Sequence, residues 1–269
     1  TGLYLTSDLA AIKYRLDNWK PSKIIYCIDV RQQLHLRQAF NIAHRAWDQD
    51  GLDTTELFHA YNGFIKLKEG AMSTRKGTVI FLKDLIEEGY KRTEDILKSK
   101  GANLSKEDIK AITIAAIKYS YLSVDREKDV VFDWDKALNF EGNSGPYIQY
   151  AYVRAKNIIE KSGEKVPVPS VPVPSVPVPL SAHDTSCLRK LTFFEKAVSD
   201  TAAKYKPHIL ATYCYELASE FSSWYAHTPK VLEEPDLSLK NFRLTLVEQV
   251  RDTLQKGFAL LAIEMPGKM

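Results

Sequence analysis

Apolar residues recur at helical spacing over residues 8–18, at Leu9, Ile12 and Leu16 with Trp19 following, and the pattern stops before Pro21. "KIIYCIDV" (23–30) is a short β-branched run between polar segments, which predicts a buried strand. "LHLRQAFNIAHRAW" (34–47) returns to a helical period, and "ELFHAYNGFIKL" (56–67) reads as extended chain. The polar stretch "EGAMSTRKG" then leads into "TVIFL" (78–82), another strand-like run, and a helix from about Lys83 to Lys98. Helix alternating with strand predicts an α/β portion with parallel strands joined by crossover helices.

After Gly101 the pattern becomes almost purely helical. "SKEDIKAITIAAIKYSYL" opens with Ser105 and Asp108 in a capping-box arrangement. "GPYIQYAYVRAKNIIEK" (145–161) places Pro146 in a first helical turn, where its missing N–H is not needed. Three further helices are predicted near 184–200, 207–227 and 238–263. Between them, "VPVPSVPVPSVPVPL" (166–180) repeats every five residues and holds half of the twelve prolines. Alternating Val-Pro suits neither a helix nor a central strand, so a stiff extended surface connector is expected, with a polyproline ligand for a partner domain as the alternative. The fold class is therefore α/β followed by all-α.

Composition narrows this picture without redirecting it. With 45% hydrophobic and 26% charged residues, the chain is an ordinary globular one, and no apolar run approaches the roughly 18 residues that span a bilayer. The first residues lack the basic start and apolar core of a signal peptide. Their helical pattern begins at once, without an initiator Met, as in the middle of a longer protein. Cys27, Cys187 and Cys214 are widely spaced and odd in number, with no metal-ligand spacing, so no bound metal and a reducing cytoplasmic setting are expected. The net charge of +3 is too small to point to nucleic acid by itself.

Three segments carry chemistry. In "EGAMSTRKGTV", glycine-flanked turns with Ser73, Thr74, Arg75 and Lys76 could surround a polyanion; the same spacing also describes a solvated basic hairpin tip. In "LYLTSD", Tyr4 and Asp8 are four residues apart and share a helix face. There a carboxylate beside a phenol could take a guanidinium or ammonium group, or Asp8 could cap the helix. Gln32 falls just after a predicted strand, where α/β sheets place ligands. In "FDWDKALNFEGNSGPYIQYAYVR" (132–154), Tyr147 and Tyr150 precede Arg154 on one helix. Such aromatics with an adjacent Arg can stack on unpaired bases and hold phosphates, or form a buried stripe.

Taken in order, these segments resemble the arginyl-tRNA synthetase family over essentially the whole chain except the Val-Pro repeat. "YLTSDLAAIKYR" is similar to the family's arginine-site helix and "KIIYCIDVRQQLH" to the strand and turn that follow it. "GAMSTRKGTVIFLKDLIEE" is similar to its version of the class I "KMSKS" loop. "VVFDWDKALNFEGNSGPYIQYAYVRAKNI" is similar to the passage into its helical anticodon-binding domain, and "LLAIEMPGKM" to its usual ending. The resemblance implies the C-terminal half of a Rossmann-like class I catalytic domain, with the loop and stem-contact helices, over 1–144. A helical-bundle anticodon-binding domain carrying the insertion at 166–180 would follow over 145–269. It implies arginine binding by Tyr4, Asp8 and Gln32, with Asp8 pairing the guanidinium. It places Met72, Ser73 and Thr74 at the centre of the ATP loop. Ala71 and Thr74 stand where the class pattern has lysines, which leaves Arg75 and Lys76 to offset charge on the ATP phosphates as pyrophosphate leaves. Tyr147, Tyr150, Phe221 and Met269 match positions near the anticodon, although Phe221, spaced with Leu217 and Trp224, also suits a core.

The implied activity is arginine–tRNA ligation through an arginyl-adenylate, with ATP and Mg2+, arginine and tRNA(Arg) as partners. A cytoplasmic monomer is expected, in a family that usually needs bound tRNA before activation. No segment like the class I "HIGH" signature occurs, so this chain corresponds to the C-terminal half of such an enzyme and is expected to be inactive alone. Two alternatives stand beside it: a stand-alone tRNA-binding module without catalysis, and a paralogue for another amino acid.

Overall fold

α1 (Tyr4–Trp19) buries Ile12 and Leu16, and these pack with Ala43 of α2 (Gln33–Trp47). That pairing is the small core of the first of two compact units. This computed structural model describes residues 4–48, 54–68, 81–163 and 179–269. Thr1–Lys66 with Arg126–Val130 form one unit, and Leu67–Asp125 with Val131–Met269 the other.

In the first unit, β1 (Lys23–Tyr26) runs parallel to β2 (Glu56–His59), with Ile24 opposite Leu57 and Tyr26 opposite His59. α2 lies between these strands in sequence, as a crossover helix does in a βαβ unit. The predicted strand over 23–30 is shorter than its apolar run. The Asp29 carboxylate accepts the Arg31 N–H at 2.9 Å and turns the chain into a 3-10 helix at Val30–Gln32, leaving one parallel bridge between Asp29 and Asn62. The extended stretch 56–67 is likewise divided. Gly63 donates its N–H to the Arg126 carbonyl at 2.8 Å, and a Cβ there would lie 2.4 Å from the Lys128 carbonyl oxygen. Only glycine admits so close a backbone crossing, and a separate strand, β3 (Ile65–Leu67), begins after it.

The second unit is mostly helical. Beside β4 (Val130–Phe132), the Lys68 N–H donates to the Phe132 carbonyl at 3.0 Å. α3 (Leu82–Ser99), α4 (Lys106–Leu122) and α5 (Trp134–Ala137) enclose Leu85, Ile117, Phe132 and Trp134. Of the predicted strand 78–82, Phe81 and Leu82 are described, and Leu82 already opens α3. The helix pattern wins there because Leu85, Gly89, Thr93 and Leu97 continue one buried face.

The main core joins α4 to α6 (Gly145–Ser162), α7 (Ala182–Leu191), α8 (Phe194–Lys204), α9 (Pro207–His227) and α10 (Leu237–Leu260). Ile148, Leu217, Phe221, Val247 and Phe258 are fully buried, and each such side chain contributes about 1.5–3 kcal/mol by leaving water. α4 and α6 approach so closely that a Cβ on Gly145 would sit 2.6 Å from the Ala115 carbonyl oxygen. The pattern predicted as one helix over 184–200 is two, interrupted at Thr192–Phe193. α10 ends at Leu260, short of the predicted 263, because Ala262 adopts a left-handed φ of 55°. The N–H groups of Ala262 and Ile263 then return to the carbonyls of Ala259 and Phe258, the pairing of a Schellman cap.

One buried charge cluster locks this bundle. Asp184 is fully buried and caps α7 reciprocally with Ser181. Its carboxylate also accepts from the Trp224 indole at 2.7 Å and from Arg243 Nε and Nη2, each at 3.3 Å. Arg243 Nη1 continues to Glu234 at 2.6 Å. Burial pushes the Asp184 carboxyl up, but the hydrogen bonds from Arg243, Trp224 and Ser181 outweigh it and hold the group below its ordinary value.

Candidate functional site

In the second unit, one face of α6 and the end of α9 form a layered cation–aromatic site. Tyr150 and Arg154 are one turn apart on α6, and the guanidinium lies 4.7 Å from the Tyr150 ring centroid. Tyr225, near the C-terminus of α9, covers the same guanidinium at 4.5 Å. Tyr150 and Tyr225 keep 41% and 48% of their surface exposed, so both rings retain surface for a ligand. They line a cleft of about 500 Å³ with Lys161, Lys230, Glu233 and Met269. Lys230 is paired with Glu233 at 2.9 Å. An Arg held between two exposed rings is preorganised: it offers donors in its plane while the rings offer flat apolar faces. Unstacked bases and phosphates present the complementary surfaces.

The structure thus brings Tyr150 and Met269 to one cleft and sorts the other two aromatic positions differently. Tyr147 is half-buried, packs on the main core and lies 5.7 Å from the Tyr215 ring. Phe221 is fully buried and stacked on Trp224 at 5.6 Å and 19°. It offers no surface to a ligand; the core reading of its spacing with Leu217 and Trp224 is the geometry found. Tyr225 was not legible as a partner of this site, since it lies on another helix; its exposed position one residue beyond the buried Trp224 is the signal that could have found it.

In the first unit, Asp8 on α1 is paired with a residue of α2, and Gln32 ends the 3-10 turn just before that helix. His35, in the first turn of α2, lies with Nε2 2.6 Å from Asp8 Oδ2. About a third of each side chain is exposed, so the carboxylate is oriented and still reachable. Tyr4 stands one turn before Asp8 and is 87% exposed. Tyr26 accepts from Arg15 Nη1 at 2.8 Å. Burial raises its phenol pKa, Arg15 opposes the rise, and the Asp8 charge adds to it. The phosphate-loop residues Met72, Ser73, Thr74, Arg75 and Lys76 lie outside the described residues, as does 166–178 of the Val-Pro repeat. Among the described residues there is no cluster of three or more metal-ligating side chains, and no helix is long and apolar enough to cross a membrane.

Comparison with known proteins gives these two units a common setting. The family described as tRNA synthetases class I (R), catalytic domain, matches residues 1–134, and the DALR anticodon binding domain matches residues 148–269. The arginine–tRNA ligase of Pasteurella multocida is 38% identical over 273 residues, which are 99% of this chain and 47% of the relative. That of Clostridium acetobutylicum is 34% identical over 272 residues, 99% and 46% respectively. Thermus thermophilus arginyl-tRNA synthetase superposes with a TM-score of 0.83 at 26% identity, over 100% of this chain and 50% of that one. The Plasmodium falciparum arginyl-tRNA synthetase gives 0.80 at 25% identity, over 99% and 44%. The chain spans about half the length of the relatives it matches.

Proposed function

Because the chain belongs to the arginyl-tRNA synthetase family, where it corresponds to the C-terminal half, we propose that it supplies part of the arginine site, the phosphate loop and the tRNA-reading domain of an arginine–tRNA ligase. The observation that supports this most is the Tyr150–Arg154–Tyr225 stack in the part of the chain matched to an anticodon binding domain. Tyr150 and Tyr225 would stack on unpaired bases while Arg154 engages phosphate or base edges, with Met269 closing the cleft. Tyr147 would act through packing behind them. In this reading the catalytic part runs over 1–144 and the anticodon-binding part over 145–269.

Asp8, steadied by His35, would accept the guanidinium of arginine as a charge-assisted fork, with Tyr4 and Gln32 alongside. Arg75 and Lys76, helped by Ser73 and Thr74, would stabilise charge developing on the phosphates of Mg2+-bound ATP as the arginine carboxylate displaces pyrophosphate. The adenylate would then pass its arginyl group to the tRNA 3′ end. A cytoplasmic monomer suits this role, and all the relatives named above are ligases, which favours it over a module that only binds tRNA.

ATP–pyrophosphate exchange with arginine and tRNA tests the division of labour. The isolated chain is expected to show no turnover, and clear turnover would overturn that assignment. In an enzyme completed with the N-terminal half of a relative, Asp8→Ala is expected to raise KM for arginine by about 10–100-fold, the worth of a charged hydrogen bond. An unchanged KM would point to a different amino acid.

A further inference from the structure

The segment 262–269 is held by side chains from two helices far away in sequence. The left-handed turn at Ala262 directs it away from the axis of α10. From α4, Lys118 Nζ donates to the Ala262 carbonyl, and the Asp108 carboxylate accepts the N–H of Gly267 at 2.5 Å and of Lys268 at 3.3 Å. From α6, the fully buried Gln149 donates to the Glu264 carbonyl at 2.8 Å, and Lys156 Nζ donates to the Gly267 carbonyl at 3.0 Å. Met269, the next residue but one, lines the cleft of Tyr150 and Arg154.

Asp108 is the pivotal member of this clasp. Its sequence position predicts a capping box with Ser105, and Ser105 does accept the Asp108 N–H at 3.1 Å. The carboxylate, however, takes the Ser105 hydroxyl on one oxygen and the two amides of 267 and 268 on the other. Adjacent backbone N–H groups sharing one carboxylate oxygen fix the orientation of the peptide between them. That peptide immediately precedes Met269. Gly267 is also suited to the approach, since a Cβ there would lie 3.3 Å from the same oxygen.

We propose that Asp108 is a positioning residue for nucleic-acid recognition: it holds the 267–268 peptide so that Met269 forms a wall of the Tyr150–Arg154–Tyr225 cleft. The proposal rests on the reading of that cleft as the tRNA site. Asp108 touches no ligand itself and acts through Met269. Loss of its carboxylate therefore frees Met269, which is half-buried and packs against the bundle core, to leave the cleft, while fully buried core residues such as Leu217, Val247 and Phe258 keep the bundle folded.

A double-mutant cycle separates this from a merely structural role. The probe is a fluorescent tRNA(Arg) anticodon-stem hairpin, titrated against the chain at one fixed salt concentration, with the thermal midpoint of each variant recorded. Asp108→Ala and Met269→Ala are each expected to weaken binding by about five- to tenfold, and the double variant by no more than the larger single loss. Asp108→Asn, which keeps an acceptor oxygen, is expected to recover most of the affinity. In Asp108→Ala, amide exchange should accelerate at Lys268 and Gly267 while α6 and α9 remain protected. Multiplicative losses in the double variant, or full affinity in Asp108→Ala, would overturn the proposal. Tyr150→Ala serves as the control on the underlying reading: if neither it nor Met269→Ala weakens binding, the cleft itself is not the tRNA site and the clasp proposal falls with it.

Discussion

Asp8 and Asp184 are both carboxylates tied to a cationic or ionisable partner from another element, yet they sit in opposite settings. Asp8 in the first unit is about one-third exposed and meets a single imidazole. Asp184 in the second is fully buried and surrounded by Arg243, Trp224 and Ser181. The units around them differ in the same way. Around Asp8, the cluster of Ile12, Leu16 and Ala43 is small, and Trp19, Ile25, Leu34 and Ile65 remain exposed. Around Asp184, six helices close on a continuous core. A satisfied buried carboxylate specifies packing, whereas a half-open one keeps capacity for a ligand.

The largest effect is expected where the buried cluster is broken. Asp184→Ala leaves the buried Arg243 with its bond to Glu234 but without the Asp184 carboxylate, and should destabilise the second unit by about 3–5 kcal/mol, read from the denaturant midpoint. A loss below about 1 kcal/mol would mean the cluster is not what holds α7 to α10. Acid should act through the same group. Its native pKa is depressed, so its contribution is complete above the unfolded value near ~3.9 and is lost as pH falls through the lower native value. Asp108 shifts in the same direction: burial raises its carboxyl, while Ser105 and the amides of Gly267 and Lys268 together lower it. The 262–269 segment should therefore loosen over the same acidic range, visible as faster amide exchange.

Thiol labelling compares the units without any mutation. Cys27 in the first unit is exposed; Cys187 and Cys214 in the second are buried, and burial pushes both thiols up to about 12. At neutral pH a maleimide should modify Cys27 at once and the other two only on unfolding of the helical core. Equal rates at all three would contradict the difference in packing. The smallest effect is expected at His35. In the completed enzyme, His35→Ala should weaken arginine binding by a few-fold at most, because Asp8 stays accessible without it. A loss as large as that of Asp8→Ala would make the imidazole part of the binding site itself.

Periodicity made α2, α4, α6 and α9 readable because each is a helix of 15 residues or more with a buried stripe along it. It could not show the break at Thr192–Phe193, which carries neither Gly nor Pro, nor the end of the strand after Tyr26, where the turn comes from the Asp29 side chain. The site was half legible for the same reason. Tyr150 and Arg154 are local neighbours on one helix, so spacing finds them. Tyr225, His35 opposite Asp8, and the use of Asp108 by residues 267–268 are contacts between distant segments, and no local pattern encodes them. Asp108 illustrates the difference: its motif predicts a capping box, of which the Ser105 half forms, while one of its carboxylate oxygens serves a partner more than 150 residues away.

The most direct test of the proposed tRNA-reading role of the cleft is equilibrium binding of tRNA(Arg) to the chain and to its Tyr150→Ala variant, at the same salt concentration and with the fold checked by circular dichroism. Removing one stacking ring should cost about 1–3 kcal/mol, a loss of roughly 5–150-fold in affinity. An unchanged affinity in a folded Tyr150→Ala variant would contradict the assignment of this cleft to tRNA.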